Sequence, residues 1–508
     1  MKPQSISVCQ NCRDRKIGCD GKVPACTQCR WFLQPCPGYL RQIVFVHQAP
    51  GDPNRNNDNT SRPKRPQDNN SLAQGVAINK TGDLIKNSTY FRWSTAEELL
   101  AVAIDHFIPA SNLPVSISEL YSSQSLVCAS WLSVLPNFIN EERSGSLTIQ
   151  ATRALGLSII CRGQRGETKH SHNSQRLEYY CSAIHQLQSQ LLLSNECGNE
   201  QTVAAIMSLT LAELMMPTSP QGWRFHVRAV AELVRKLGPD HFITSTAHRL
   251  FVGFRPLILI EAILSRSPTF LGLQQWQSVP FQKHFQSPMQ RLLGYAAVLP
   301  SLLHQADAAK LIPAQQGVAE VQAVTQALTK LLKELRQWVL SYQNLFRGPL
   351  YWTKPKDRKS SYVSLLPLCF PNALAATALI HCWTFQIICL TQLDEIGVLS
   401  KHSQHCGDFH DVFPLRIPKD PVDICVKICQ SMDYFLEDNM KVYGPAAAIF
   451  PFQIAYRTLL LYSDPQSDQI KTCNVVISSF HQKGFDVGKL SSDLSFTIQQ
   501  PRTQLRGD

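Results

Sequence analysis

Six cysteines near the start of the chain lie at intervals that repeat. Each of two cysteine pairs has two residues between its members and is followed, after six intervening residues, by a third cysteine. Six residues also separate the two sets. The six are Cys9, Cys12, Cys19, Cys26, Cys29 and Cys36. A Cys-x2-Cys pair brings two thiolates within reach of one ion, which is typical of zinc sites. The repeat therefore indicates a duplicated segment that binds metal.

The number of sulfurs limits how many ions this segment can hold. One tetrahedral zinc would use four of them and leave two, whereas two tetrahedral zincs need eight coordination positions. Six sulfurs fill eight positions only if two thiolates bridge both ions. Because so short a segment has almost no apolar core, zinc would supply its folding free energy, on the order of 10 kcal/mol or more. We expect two zinc ions and an unfolded segment without them.

Other cysteine chemistries fit the pattern less well. A disulfide framework belongs in an oxidising compartment, and the residues before Cys9 include no apolar run that could act as a secretory signal. A thioredoxin-type pair needs a βαβ setting, which is absent here. Treble-clef and RING-type zinc sites usually include a histidine, and none lies between Cys9 and Cys36. We therefore expect reduced, metal-bound thiols.

Residues 9–46 resemble the fungal binuclear zinc cluster domain, the DNA-binding domain of a class of transcription factors. The resemblance rests on the cysteine spacing and on the exit sequence PCPGYLRQIVF. It implies that the first cysteine of each half, Cys9 and Cys26, bridges the two ions. It also implies that a helix after the first cysteine pair enters the major groove of double-stranded DNA.

Three basic residues follow the first cysteine pair. By position, the resemblance matches Arg15 and Lys16 to the pair that reads bases and Arg13 to a phosphate contact. Arg and Lys commonly pair with guanine O6 and N7, which predicts a G-rich half-site, and the family reads CGG triplets. Gly18 departs from the pattern, since the family usually has Lys or Arg there. The alternative is that these cations only neutralise the charge of the cluster.

The chain divides by composition into four segments: residues 1–46 with the cysteines, a polar linker at 47–90, a long body at 91–480 and a polar tail at 481–508. The linker is rich in Asn and Pro and too poor in apolar residues to fold, so we expect it to be disordered. Its basic cluster RPKRP, residues 62–66, fits either a nuclear import signal or solvated linker charge. Residues 1–90 carry thirteen Lys and Arg against six Asp, which favours a polyanionic partner for this end of the chain.

The body shows the three- and four-residue apolar spacing of helices, which predicts an all-α domain of many helices. Three predicted apolar faces are Leu177, Cys181, Ile184, Leu187 and Leu191; Phe225, Ala229, Val230, Leu233 and Leu237; and Val321, Val324, Leu328, Leu331, Leu335, Trp338 and Tyr342. Gly238-Pro239 is predicted to end one helix, and Gly444-Pro445 to precede another. The apolar run at 372–390 is interrupted by His381 and Gln386, so we expect a buried core helix there and no membrane segment.

The body also resembles the helical regulatory region that follows the zinc cluster in fungal members of this class, over about residues 95–480. The most specific match is GWRFHVRAVAELVRKLGP, residues 222–239, followed by LFVGFRPLILIEAIL and FLGLQQWQSVPF. Trp223, His226 and Trp276 within these stretches are interpreted as core residues because of their helical spacing.

The body contains none of the short phosphate-binding, nucleophile or metalloprotease motifs that we sought, so we predict that the protein is not an enzyme. One polar cluster could ligate a metal, but chance clustering in a loop explains it better: His402, His405, Cys406 and His410. The eleven cysteines outside the first segment are scattered, and we expect most to be inert core residues.

Taken together, these patterns predict a nuclear, sequence-specific transcription regulator. A small zinc-nucleated domain would bind DNA, and a disordered linker would join it to an all-α body that contacts the transcription machinery or co-regulators and another copy in a homodimer. The alternative is a helical enzyme or scaffold whose zinc segment only docks it to nucleic acid. The target genes, the sign of regulation, the half-site spacing and any small-molecule effector are not encoded in readable form.

Overall fold

The computed structural model describes residues 9, 11–12, 15, 17–20, 26–31, 95–109, 130–141, 146–162, 167–193, 199–312, 317–353, 365–401 and 421–485. The chain divides into two units, Met1–Lys80 and Thr81–Asp508. Several sequence-based expectations fall outside the described residues. These are the linker at 47–90 with its basic cluster, residues 486–508 of the tail, and the group His402, His405, Cys406 and His410.

The first unit contains a short helix, α1 (Thr27–Trp31). The described part of the second unit is helical apart from one small β-ladder, as predicted. Its helices are α2 (Ala96–Phe107), α3 (Leu135–Glu141), α4 (Leu147–Cys161), α5 (Glu167–Leu193), α6 (Glu200–Met215), α7 (Gly222–Leu237), α8 (Ser245–Leu264), α9 (Gln274–Ser278), α10 (Pro288–Ala296), α11 (Leu299–Leu311), α12 (Val318–Gln343), α13 (Ala373–Lys401), α14 (Val422–Phe435), α15 (Tyr443–Tyr462) and α16 (Asp468–Gln482). Single 3₁₀ turns occupy Ser130–Val134, Pro239–Ile243, Phe270–Gly272, Val279–Phe281 and Asp438–Met440. Strands β1 (Trp352–Thr353) and β2 (Leu368–Cys369) pair antiparallel, with Trp352 opposite Cys369.

The ends of several helices follow from local side-chain chemistry. Thr95 and Glu98 form a reciprocal capping box at the start of α2, which satisfies two backbone N–H groups. Helix α7 ends at Leu237 and is followed by Gly238 at φ 80° and by Pro239, as predicted. Gly444 and Pro445, predicted to precede a helix, instead lie inside the first turn of α15. That position suits proline because the first-turn N–H groups have no helical partner.

One of the three predicted apolar faces is confirmed in full register. Along α12, Val324, Leu328, Leu331 and Leu335 are buried, followed by the aromatic pair Trp338 and Tyr342. Trp338 also donates its indole N–H to the carbonyl oxygen of Pro288 at 3.0 Å. The ring therefore fixes the helix against the start of α10.

The other two faces are rotated from the prediction. On α5, Leu187 is buried as predicted, but Leu177 and Cys181 are exposed, and Arg176 and Ala183 are buried in their place. The reason is polar: the Arg176 guanidinium lies 3.4 Å from the carbonyl oxygen of Met216, a contact that turns this side of the helix inward. Apolar spacing alone could not predict a buried arginine on the core side of a helix.

The predicted face of α7 is likewise only partly correct. Val230 and Leu233 are buried, whereas Phe225 is 61% exposed and Ala229 also faces solvent. Trp223 and Val227 take their place in the core. The shift follows from Arg224, whose buried guanidinium pairs with Glu261 of α8 at 3.3 Å and fixes the orientation of the helix.

The core of the body is continuous and is built around α13. Helix α4 packs against α2, α5 and α6, and α13 packs against α12 and α15. Ala373–Gly397 is long and apolar enough to cross a membrane by length and composition, and it is the one such helix among the described residues. Within the body, 94% of its most apolar window is buried. The helix thus forms the centre of the domain, in agreement with the core helix predicted from His381 and Gln386.

A buried carboxylate closes the connection between α6 and α7. Glu213 is fully buried and accepts hydrogen bonds from the backbone N–H of Thr218, its hydroxyl group and the N–H of Ser219, at 2.8, 2.8 and 3.1 Å. A Cβ atom at Gly222 would lie 2.0 Å from the nearer carboxylate oxygen. Only glycine therefore allows the first residue of α7 to approach this carboxylate.

We predict that Gly222→Ala lowers the free energy of unfolding of the body by about 3 kcal/mol, because Glu213 must give up hydrogen bonds in a buried site. Chemical denaturation of the purified protein would measure this. The matched control is Gly294→Ala in α10, where a Cβ would meet only ordinary contacts at 3.7 and 3.8 Å. That change should be neutral or stabilising, and equal losses in the two variants would refute the packing argument.

Acid should destabilise the body through His381, which is buried and donates from Nδ1 to the carbonyl oxygen of Thr377 at 2.9 Å. Burial lowers the pKa of His381 to about 4, so between pH 6.5 and 4 the unfolded chain binds a proton that the folded chain does not. We therefore predict that stability falls as the pH is lowered through this window, by up to about 1.4 kcal/mol per unit for one histidine.

The measurement is the free energy of unfolding at several pH values for the wild type and for His381→Gln. The variant should show a shallower fall with decreasing pH, while the exposed His185→Gln control keeps the wild-type slope. Burial also lowers the pKa of His248 to about 4, so the variant should keep part of the pH dependence. An unchanged slope in His381→Gln would contradict the prediction.

Candidate metal centre and DNA interface

Four of the six predicted ligands lie together in the first unit. The Sγ atoms of Cys9, Cys12, Cys19 and Cys26 are all within 4.8 Å of one another. Cys9 and Cys12 are separated from Cys26 by Sγ–Sγ distances of 3.7 and 3.6 Å. Two sulfurs bound to one tetrahedral zinc at about 2.3 Å lie roughly 3.8 Å apart. The donor type and the spacing of these four sulfurs therefore fit zinc.

The fifth cysteine extends this cluster toward the second half of the repeat. The Sγ atom of Cys29 is 3.7 Å from that of Cys9, and the backbone N–H of Cys29 donates to the Sγ atom of Cys26 at 3.3 Å. The side-chain amide of Asn11 also donates to the Cys29 sulfur, with its Nδ2 atom 3.9 Å away. N–H groups that point at a thiolate stabilise its negative charge. Cys36, the sixth predicted ligand, lies outside the described residues.

The carboxylate of Asp20 links the end of the first half of the cysteine repeat to the start of the second half. Asp20 follows Cys19 directly, and its two oxygens accept from the backbone N–H and the hydroxyl of Thr27, at 3.0 and 2.5 Å. Thr27 is the first residue of α1, so the contact fixes where that helix begins. Sequence analysis did not single out Asp20 or Asn11. The signal that could have found Asp20 is its type, since Asp commonly accepts from backbone N–H groups in turns and caps.

The basic residues after the first cysteine pair are described in part. Arg15 is exposed, and its backbone N–H donates to the carbonyl oxygen of Asn11 at 3.2 Å, as in a helical turn. Ile17 closes the turn with an N–H to the carbonyl oxygen of Cys12 at 3.0 Å and is only partly exposed. Arg13 and Lys16 lie outside the described residues. The turn thus buries the cysteine side and leaves Arg15 in solvent, where it could meet a polyanion.

Two thiols of the cluster, those of Cys9 and Cys12, resist ionisation as long as no cation is present. Burial raises the pKa of the Cys9 thiol. Burial, together with hydrogen bonds to the Cys9 and Cys26 thiols, raises that of Cys12. A divalent ion reverses this balance, because it pairs with the thiolates and displaces their protons. Such a cluster suits a resident metal rather than a free reactive cysteine.

The aromatic residues of the body that had been considered as a second site lie in its core instead, as interpreted from the sequence. Trp223 and Trp276 are buried, and Trp276 packs against Phe242, Phe251 and Phe270. His226 lies with its Nε2 atom 2.6 Å from the hydroxyl of Tyr180 on α5. This pair joins α5 to α7.

Comparison with protein families agrees with the geometry of both units. Residues 7–43 match the fungal Zn(2)-Cys(6) binuclear cluster domain, and residues 146–335 match the fungal specific transcription factor domain. The second match contains α4 to α11 and includes the stretches GWRFHVRAVAELVRKLGP, LFVGFRPLILIEAIL and FLGLQQWQSVPF. Neither the curated proteins nor the solved structures include a significant match.

Both matches describe a DNA-binding regulator of transcription and not an enzyme, and the zinc cluster family is generally nuclear. The cysteine cluster supplies the independent structural observation, because its four sulfurs are already close enough to share an ion. On these grounds, the chain contains the two domains of a fungal Zn(2)-Cys(6) transcription factor, the binuclear cluster domain at residues 7–43 and the fungal specific transcription factor domain at residues 146–335.

Proposed function

We propose that this protein is a nuclear regulator of RNA polymerase II transcription that reads G-rich, CGG-like half-sites through a cluster of two zinc ions. We further propose that it controls the genes of one pathway, such as the biosynthesis of a metabolite. The observation that carries the proposal is the group of four sulfurs within 4.8 Å of one another, directly beside the exposed Arg15. A metal cluster next to a basic turn is the arrangement that a small DNA-reading domain needs.

The two ions would be held by all six cysteines of the repeat. Cys12 and Cys19 would bind one ion, Cys29 and Cys36 the other, and Cys9 and Cys26 would bridge both. The sulfur distances support this sharing, because Cys9 lies 3.7 Å from both Cys26 and Cys29. Zinc supplies no redox chemistry here and acts only as a structural cross-link. The chain's own part is to bring the thiolates together and to present the basic turn.

DNA recognition would be divided among three cations. Arg15 and Lys16 would pair with guanine O6 and N7 in the major groove, and Arg13 would contact a phosphate. The exposure of Arg15 supports this role, because a side chain that reads bases must be accessible to DNA. The body would serve regulation by contacting co-regulators or the transcription machinery and by pairing with a second copy, so that two half-sites are read together.

We predict that the intact protein binds two zinc ions per chain, as counted by native mass spectrometry. Cys26→Ser should lose at least one ion together with specific DNA binding, because this sulfur is proposed to bridge. Chelation should abolish DNA binding as well, since metal supplies the folding free energy of this segment. The matched control is Cys181→Ser, an exposed cysteine of α5, which should keep both ions. A wild-type stoichiometry of one zinc would refute the bridged cluster.

We also predict that Lys16→Ala reduces discrimination between a CGG-containing duplex and one with a guanine replaced, by about 1–3 kcal/mol. Zinc content should stay unchanged, because Lys16 is not a ligand. Arg13→Ala should instead weaken binding to both duplexes equally and lower the salt dependence by about one ion. Fluorescence anisotropy at several salt concentrations measures both effects. If Lys16→Ala keeps full discrimination, the base-reading assignment is wrong.

A substitution at Gly18 tests whether an added cation strengthens DNA binding. A Cβ there would meet no atom of the described residues within 4 Å, and related domains usually carry a cation at this position. Gly18→Lys should therefore tighten DNA binding and raise the salt slope by about one, whereas the uncharged Gly18→Gln should do neither. Equal effects of Lys and Gln would show that no phosphate lies near this position.

A further inference from the structure

Two cysteines of the body meet between helices that are far apart in sequence. The Sγ atoms of Cys429 on α14 and Cys473 on α16 lie 3.5 Å apart, although the two residues are 44 positions apart along the chain. Both side chains are buried, with 3% and 0% exposure, and α14 packs directly against α16. A disulfide is about 2.05 Å long, so the two sulfurs would have to move together by roughly 1.5 Å. Small side-chain rotations and helix shifts can make a change of that size.

A small cleft gives access to one of the two thiols. Cys429 lines it, whereas Cys473 does not, and its polar lining consists of Gln430, Asp433, Thr472 and Ser479. The cleft leaves about 20 Å³ for the centres of water-sized molecules, which is room for about one or two of them. Hydrogen peroxide is little larger than water and forms the same hydrogen bonds. The cleft therefore has room for this oxidant beside Cys429.

The neighbouring thiol makes the outcome of oxidation specific. When the Cys429 sulfur attacks peroxide, the O–O bond breaks, one oxygen stays on sulfur as a sulfenic acid and the other leaves as water. The Cys473 sulfur then attacks the sulfenic sulfur, an S–S bond forms, and the second oxygen leaves as water. Two thiols and one peroxide thus yield one disulfide and two water molecules. The thiols lose two electrons, and the peroxide gains them.

The reaction should be slow in the folded protein. The hydrogen bond with Cys473 and burial hold the pKa of Cys429 well above its ordinary value, and the thiolate is the reactive form. Brief exposure to oxidant would therefore leave the pair reduced, whereas sustained exposure would convert it.

We propose that Cys429 and Cys473 form a reversible disulfide under sustained exposure to a peroxide and so cross-link α14 to α16. The cross-link ties α16 covalently to α14 of the body. This modification is independent of the DNA-binding role proposed above, since neither helix belongs to the zinc segment.

The test uses the zinc-loaded, full-length protein with hydrogen peroxide at doses that release no zinc, as monitored by a chelating dye. After free thiols are alkylated, non-reducing peptide mapping should reveal one peptide pair that joins Cys429 to Cys473 and separates on reduction. The thermal midpoint of the body should rise by about 3 °C, because the cross-link restricts the unfolded chain. Reduction should reverse the rise.

Two variants make the test specific. Cys473→Ser should abolish both the linked peptides and the thermal shift, whereas Cys389→Ser, a buried cysteine of α13, should keep both. If Cys473→Ser fails to fold, the peptide map of the wild type still decides. Recovery of Cys429 and Cys473 as separate alkylated peptides, or a disulfide from either one to a different cysteine, would overturn the proposal.

Discussion

The mutual approach of cysteine sulfurs is the interaction on which the DNA-binding end of this protein depends. The described residues around the cluster offer little else to bury, with Ile17 as a partly buried apolar neighbour. A segment of this size cannot offset its conformational entropy by burying apolar surface. Coordination of an ion by several thiolates can do so, because each bond to the metal replaces many weak contacts. Every contact of the basic turn with DNA would therefore depend on the metal.

The body is held together by the opposite means, a large apolar core, but polar groups decide how its helices are oriented. Arg255 is fully buried on α8, where it donates to both the backbone and the side-chain oxygen of Gln290 at 2.9 and 3.0 Å and lies over the ring of Phe281. Burial lowers its pKa to about 9, which leaves it charged at neutral pH. Because a buried cation is costly unless its donors are used, such groups allow few alternative packings.

These polar groups also explain how far sequence could predict the structure. The cysteine spacing predicted the cluster, because six identical ligands at repeated intervals have few other uses. Helical spacing predicted most of the buried face of α12, since that face is apolar except for Thr329. The observed buried faces of α5 and α7 are rotated from the predicted ones. On α5 the reason is Arg176, which is buried against the carbonyl oxygen of Met216, and on α7 it is Arg224, which is buried against Glu261. These partners lie far along the chain from the arginines, and Cys473 likewise lies far from Cys429. No local sequence pattern reveals contacts of this kind.

The tie between Asp20 and Thr27 has a consequence for the repeated cysteine segment. Shifting each residue by the length of one repeat maps Thr27 onto Gln10 and Asp20 onto Pro37, a pair that cannot reproduce the contact, because proline has no side-chain oxygen. The same shift maps the cations Arg15 and Lys16 onto Phe32 and Leu33. Duplication has therefore kept the proposed metal ligands alike in both copies, while the two cations proposed to read bases occur in the first copy and are replaced by apolar residues in the second.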